Sequence, residues 1–256
     1  MSVNKEYAPE KVIWSNSPEY VITDLPCVGF NGDRYHRPAQ EFGDYIEYTG
    51  SVLFVDPSGT GKDQTAISCV KMLNGNLFVT ECFGLSGGYS DRVLERIAKT
   101  AKTNKVNKII VEQNFGGGMF SQLLKPFLMR YHPCEVEDVR NTKTKELRII
   151  DTLEPVMNSH RLIIDRRVME NDFKSNPDET PERRLKLQLA YQISRLSKNK
   201  GSLVHDDLCD SLAGAVAYWT EYMAQTEDFN IAKRHEEQLN THPVSYTHLR
   251  AHETHE

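Results

Sequence analysis

Ser51-Val52-Leu53-Phe54-Val55-Asp56-Pro57-Ser58-Gly59-Thr60-Gly61-Lys62-Asp63 is the stretch that decides the fold. Val52 to Val55 form a short apolar run, rich in β-branched residues, that ends in an acid. That is the pattern of a buried strand. The glycines and lysine that follow suggest a phosphate-binding loop, but the match fails twice. The Gly-x-x-x-x-Gly-Lys-[Ser/Thr] pattern needs glycine where Asp56 stands and a hydroxyl residue where Asp63 stands. The segment after the turn also reads as a strand, whereas a phosphate-binding loop opens a helix. What remains is an acid fixed at the end of a strand, facing a space that Gly59 and Gly61 keep open. Such rigidity suits a metal ligand. A turn-initiating aspartate before Pro57 is the ordinary alternative.

Outward from this strand, 65–73 and 76–84 are two more strand-like runs. Leu73-Asn74-Gly75-Asn76 joins them through an Asn-Gly pair, which favours a tight hairpin. A helix is predicted over 90–103 and a buried strand over 108–114, the latter carrying Glu112 before Gly116-Gly117-Gly118. Further helices are predicted over 119–129, 144–157 and 183–197, with short strands at 134–139 and 161–165. A last helix begins near Asp206, with Leu208, Leu212, Ala215, Val216, Trp219 and Met223 on one stripe. Strands first, then alternating helices and strands, predict an α/β domain with a mixed central sheet and flanking helices.

Residues 1–49 are rich in Pro, Asn, Asp and aromatics, and read as an extended arm or linker with little regular structure. Residues 50–240 read as the folded domain. Residues 241–256 hold His242, His248, His252 and His255 without a core period. That tail resembles a translated sequencing adapter and reads as non-native or disordered.

The chain of 256 residues has a net charge of −5, and 39% of it is hydrophobic. No stretch approaches the roughly 18 apolar residues of a membrane span. Cys27, Cys69, Cys82, Cys134 and Cys209 are scattered, which argues against a zinc site or a disulfide framework. The acidic balance does not advertise nucleic-acid binding, yet a site that gathers metal must gather carboxylates. Arg183, Arg184, Lys186, Arg195, Lys198 and Lys200 form one basic run without an acid between them, and Lys99, Lys102, Lys105 and Lys108 form another. Either run suits phosphates or a solvated helix face.

Three acidic signals stand out: Asp56, Glu112, and His205-Asp206-Asp207-Leu208-Cys209-Asp210 at the start of the last helix. Helix capping explains one aspartate there well, and three within five residues poorly. Carboxylates packed together repel unless cations neutralise them, and hard oxygen donors select Mg2+ or Mn2+. Asp56, Glu112 and either Asp206 or Asp207 are expected to converge on two ions that hydrolyse a phosphodiester.

DPSGTGKD (56–63), SGGYSD (86–91), VEQNFGGGMF (111–120), DTLEPVMNSHRLIID (151–165) and HDDLCDSLAGAV (205–216) occur in this order. Over about residues 50–223 the chain resembles the large terminase subunit of T7-like phages. The resemblance implies an RNase H-like fold of the retroviral integrase superfamily and endonucleolytic cutting of concatemeric double-stranded DNA in the host cytoplasm. It implies metal positions at Asp56, Glu112 and the Asp206-Asp207 pair, with Asp207 the more direct ligand and with Asp56, Glu112 and Asp207 catalytic. Asp210 and His205 are expected to support these ligands from behind. Lys62, Arg183, Arg184, Arg195 and Lys198 are expected to meet DNA.

The portal protein and the small terminase subunit are the implied partners. The family's ATPase domain has no counterpart in the sequence, so no ATP hydrolysis is expected from this chain. Two other readings compete with the nuclease. One is a docking module for portal or DNA that has lost catalysis. The other is a different RNase H-like nuclease, such as a resolvase.

Overall fold

The computed structural model describes residues 1–26, 34–58, 64–113, 118–140 and 144–241. Residues 1–219 form one compact unit, and the described residues from 220 to 241 belong to a second. The N-terminal segment contributes β1 (Tyr7–Ile13) and β2 (Gln40–Glu47). The strand read from the opening stretch is β3 (Gly50–Asp56), followed by β4 (Thr65–Leu73) and β5 (Asn76–Leu85). Asn74 and Gly75 take positive φ of 49° and 79°, which closes the expected β4–β5 hairpin. Then come α1 (Asp91–Thr103), β6 (Lys108–Glu112), α2 (Met119–Tyr131), β7 (Glu135–Val139), α3 (Lys145–Asn158) and β8 (Leu162–Ile164). The chain continues through α4 (Arg166–Lys174), α5 (Pro181–Lys186), α6 (Leu189–Arg195) and α7 (Asp207–Thr241).

One mixed sheet of six strands has the order β7-β6-β3-β4-β5-β8. β3 pairs antiparallel with β4 and parallel with β6, so the almost wholly buried strands β3 and β4 lie at the centre. Strand alternation then sorts the side chains onto two faces. Leu53, Val55, Ile67, Cys69, Ile109 and Val111 pack on the first face against Val93, Leu94, Ile97 and Ala101 of α1 and Phe120, Leu124 and Leu128 of α2. The second face, that of Phe54, receives the start of α7. A Cβ on Gly214 would lie 2.4 Å from the Phe54 ring, so only glycine admits this approach. Ser211 Oγ donates to Ser68 Oγ at 2.8 Å, and Trp219 Nε1 donates to the Val70 carbonyl at 3.0 Å.

Two expectations need correction. Residues 1–49 are not an arm of little regular structure: β1 and β2 form an antiparallel pair, with a register shift between Pro9 and Lys11. Val3 and Ala8 are buried with Leu73, Phe78 and Ile163, and Val12, Trp14 and Ile46 pack beside them. The register shift breaks the period-2 pattern that would have revealed the strands. The single helix predicted over 183–197 is instead α5 and α6, with Gln188 extended between them. The Asp172 carboxylate causes the break. It accepts from Leu189 N at 2.8 Å and Ala190 N at 3.1 Å, which starts a new helix. The tail at 242–256 lies outside the described residues.

Gly214→Ala is expected to destabilise the protein by about 1–3 kcal/mol through overpacking against Phe54. Thermal unfolding of Gly214→Ala, of Phe54→Leu and of the double variant checks this. The double variant is expected to recover part of the loss, and strict additivity would rule out the contact as the cause.

Candidate metal centre

Asp56 ends β3 and Glu112 ends β6, and the parallel register (Val55 opposite Val111) sets these ends side by side. Asp56 lies two residues beyond Phe54, on the same face of its strand. Asp210 lies one helical turn before Gly214, on the same face of α7. The Phe54–Gly214 contact therefore also brings Asp210 over the strand ends. One oxygen from each of Asp56, Glu112 and Asp210 lies within 4.8 Å of the other two. All three side chains are buried, with residue exposures of 7%, 6% and 3%.

Such crowding disfavours ionisation. Burial pushes the Asp56 carboxyl up to about 8, and the neighbouring Glu112 and Asp210 add to the rise. Burial raises Glu112 as well, with Asp210 adding and Arg148 opposing. Burial also raises Asp210, against the pull of Lys145 and Arg148. Three converging buried carboxylates fit a hard divalent cation, whose oxygen bonds run about 2.0–2.6 Å. An ion would relieve that repulsion further than two of the protein's own cations already do.

Those cations come from α3. Arg148 Nη1 donates to Glu112 Oε1 at 3.3 Å, and Arg148 Nη2 donates to Asp210 Oδ1. Lys145 Nζ lies 3.2 Å from Asp210 Oδ2, 2.7 Å from Asp206 Oδ1 and 3.7 Å from Asp207 Oδ1. Burial opposes the charge on Lys145, but the surrounding acids hold its pKa above the usual lysine value. Sequence reasoning passed over both residues. Their signal was Lys145-Glu146-Leu147-Arg148, two cations three apart and hence on one helix face.

The grouping of acids differs from the expected one in its third member. Asp210, expected to support from behind, stands with Asp56 and Glu112. Asp206 and Asp207 stand at Lys145, partly exposed, and His205 precedes them, half-buried. The reason is position along the helix axis rather than helical phase. Asp206 precedes the first turn of α7, whereas Asp210 follows the buried Leu208 and Cys209 toward the sheet.

Among the expected DNA contacts, Lys62 lies outside the described residues. Arg183 pairs with Glu179 at 3.4 Å, and Arg184 Nη2 donates to the Phe173 carbonyl at 2.7 Å. Arg195 stacks on Tyr191, 4.2 Å from its ring centre, and Lys198 is exposed beyond α6. In the second basic run, Lys99, Lys105 and Lys108 pair with Glu95, Glu6 and Glu135, the behaviour of a solvated face. No helix among the described residues is long and apolar enough to cross a membrane.

Arg148→Met is expected to lower the stability of the metal-free protein at pH 7.5 by about 3 kcal/mol, because two buried carboxylates lose a shared cationic partner. Both carboxyls already titrate above their ordinary values. The loss should therefore shrink as pH falls and they take up protons. Denaturant unfolding in EDTA at pH 7.5 and pH 5 reads this, and an equal loss at both would contradict it.

Comparison with known proteins agrees with the fold. Residues 55–162 match the family model "Terminase Bacteriophage T7, Ribonuclease H-like domain". The chain is 36% identical over 231 residues to the terminase large subunit of Enterobacteria phage T3, covering 89% of this chain and 38% of that protein. It thus spans well under half the length of this relative. Among solved structures, the human cytomegalovirus terminase nuclease domain is similar at 14% identity and a TM-score of 0.46, over 66% of this chain and 84% of that one. The nuclease domain of the large terminase subunit of bacterial virus Sf6 is similar at 13% identity and a TM-score of 0.39, over 66% and 88%. By sequence, residues 55–162 thus resemble the RNase H-like domain of the T7 terminase, and most of the chain is similar to part of one phage terminase large subunit.

Proposed function

We propose that this domain is a Mg2+- or Mn2+-dependent endonuclease that cuts double-stranded DNA for phage genome packaging. The observation that carries the proposal is the convergence of Asp56, Glu112 and Asp210 on one buried point. The likeness to the T3 terminase large subunit supports the packaging role. The resemblance further suggests the portal protein and the small terminase subunit as partners in assembly.

Asp56, Glu112 and Asp210 would hold the ions, with Asp206 and Asp207 close by on the same rim. Held by these residues, divalent ions would supply Lewis-acid chemistry, making a bound water more acidic and offsetting charge on a phosphodiester. The protein's own part is positional. Two acids are set by strand register and the third by the seating of α7. Lys145 and Arg148 balance the cluster's charge and hold its oxygens in place. Burial keeps the local dielectric low, which strengthens each of these charge interactions.

The test is nicking of supercoiled plasmid in Mn2+, Mg2+ and EDTA. Asp56→Asn, Glu112→Gln and Asp210→Asn are each expected to abolish metal-dependent cutting. Asp207→Asn is expected to reduce it by about 10–100-fold at most, as for a residue that supports ligands. Activity kept by Asp210→Asn and lost in Asp207→Asn would return the third position to Asp207. Metal binding without cutting of any duplex would leave a docking module.

A pH effect accompanies binding. With its carboxyl near 8 in the metal-free state, Asp56 must release a proton to become a ligand. Apparent Mn2+ affinity should therefore rise from pH 6 to pH 8 and level off above. Calorimetry at pH 7 in two buffers of different ionisation enthalpy reads the proton directly. Binding without proton release would show that Asp56 is already ionised in the metal-free protein and would overturn this pH dependence.

A further inference from the structure

We propose that Gln192 is a positioning residue that aims Asp210 into the acid cluster by capping α7 from a neighbouring helix. The inference rests on the metal-centre reading above. Asp56 and Glu112 inherit their places from the sheet, but Asp210 arrives on a separate element and needs its own fixation. The first N–H groups of a helix have no partner within it, and the side chain of the preceding residue ordinarily supplies one. At α7 that preceding residue is Asp206, which offers its backbone carbonyl to Asp210 N at 2.9 Å while its carboxylate goes to Lys145. Gln192 Oε1 takes the capping bonds instead, accepting from Leu208 N and Cys209 N, both at 3.1 Å.

Gln192 is itself held rigidly. It is 1% exposed, and its Nε2 donates to the Lys186 carbonyl at 3.3 Å. Its helix starts where the Asp172 carboxylate captures Leu189 N and Ala190 N. Two side-chain caps in series therefore run from α4 through α6 to the residues immediately before Asp210. The arrangement frees the Asp206 and Asp207 carboxylates to face Lys145. It also fixes the backbone of α7 one residue from a ligand, where a metal site tolerates about 0.5 Å of error.

The test uses Gln192→Met, which keeps the volume and removes the acceptor, and Gln192→Glu, which keeps an acceptor. Three readouts are followed: Mn2+ affinity by calorimetry, amide exchange at Leu208 and Cys209, and plasmid-nicking kinetics. Gln192→Met is expected to weaken Mn2+ binding about 10–100-fold. It should also speed exchange at both amides and lower kcat while leaving KM for DNA unchanged. Gln192→Glu should restore Mn2+ affinity to within a few-fold. Should Gln192→Met fail to fold, Gln192→Asn, whose acceptor falls short by one methylene, takes its place with the same expectations. A folded variant that binds Mn2+ like the wild type, with only its Tm lowered, overturns the proposal and leaves a structural cap. A wild-type protein that binds no Mn2+ overturns the metal-centre reading, and this inference with it.

Discussion

Parallel pairing of β3 with β6 puts Asp56 and Glu112 at adjacent strand ends, and the site follows from the repulsion that results. Two carboxylates in a buried place raise each other's proton affinity, and a third from α7 adds to it. A fold can tolerate such a cluster if it supplies cations or admits them. This one does both. Lys145 and Arg148 reach in from α3, and the oxygens stand close enough to share an ion. Stability alone would favour apolar residues here. The accumulation of acid makes chemical sense as a device for holding metal.

The sheet's two faces divide the labour. The face of Leu53 and Val55 meets α1 and α2 through apolar packing, aliphatic and aromatic, and so secures the strands. The face of Phe54 and Asp56 meets α7, and there packing and polar chemistry share one helix. Ser211 bonds to Ser68, Gly214 seats on Phe54, and Asp210 reaches the strand ends. The small residues of α7 and the single aromatic of β3 decide how closely the third acid approaches.

Much of this could be read in the sequence, because the strongest signals are local. The apolar run ending at Asp56, the Asn74-Gly75 hairpin and the run ending at Glu112 each declare themselves within a few residues, and all fall where expected. The third acid did not declare itself. Choosing among Asp206, Asp207 and Asp210 depends on where α7 starts, and that is set by Gln192, which lies outside the motif. The break between α5 and α6 was hidden for the same reason, since Asp172 causes it from a different helix. The β1–β2 pair escaped because a register shift disrupts its alternation. Lys145 and Arg148 were visible only as a helical spacing, with nothing nearby to say that acids faced them.

The contact between Gly214 and Phe54 reaches beyond packing. Asp210 is one turn from this glycine, and Asp56 is two residues from this ring, so the contact acts as the fulcrum of the site. The bulk of the residue at 54 sets how high α7 stands above the sheet, and with it the width of the gap between the acids. Were an ion held there as proposed, the fit of its radius would depend on this contact in the hydrophobic core. Selection on ion choice would be free to act on residues that never touch the ion.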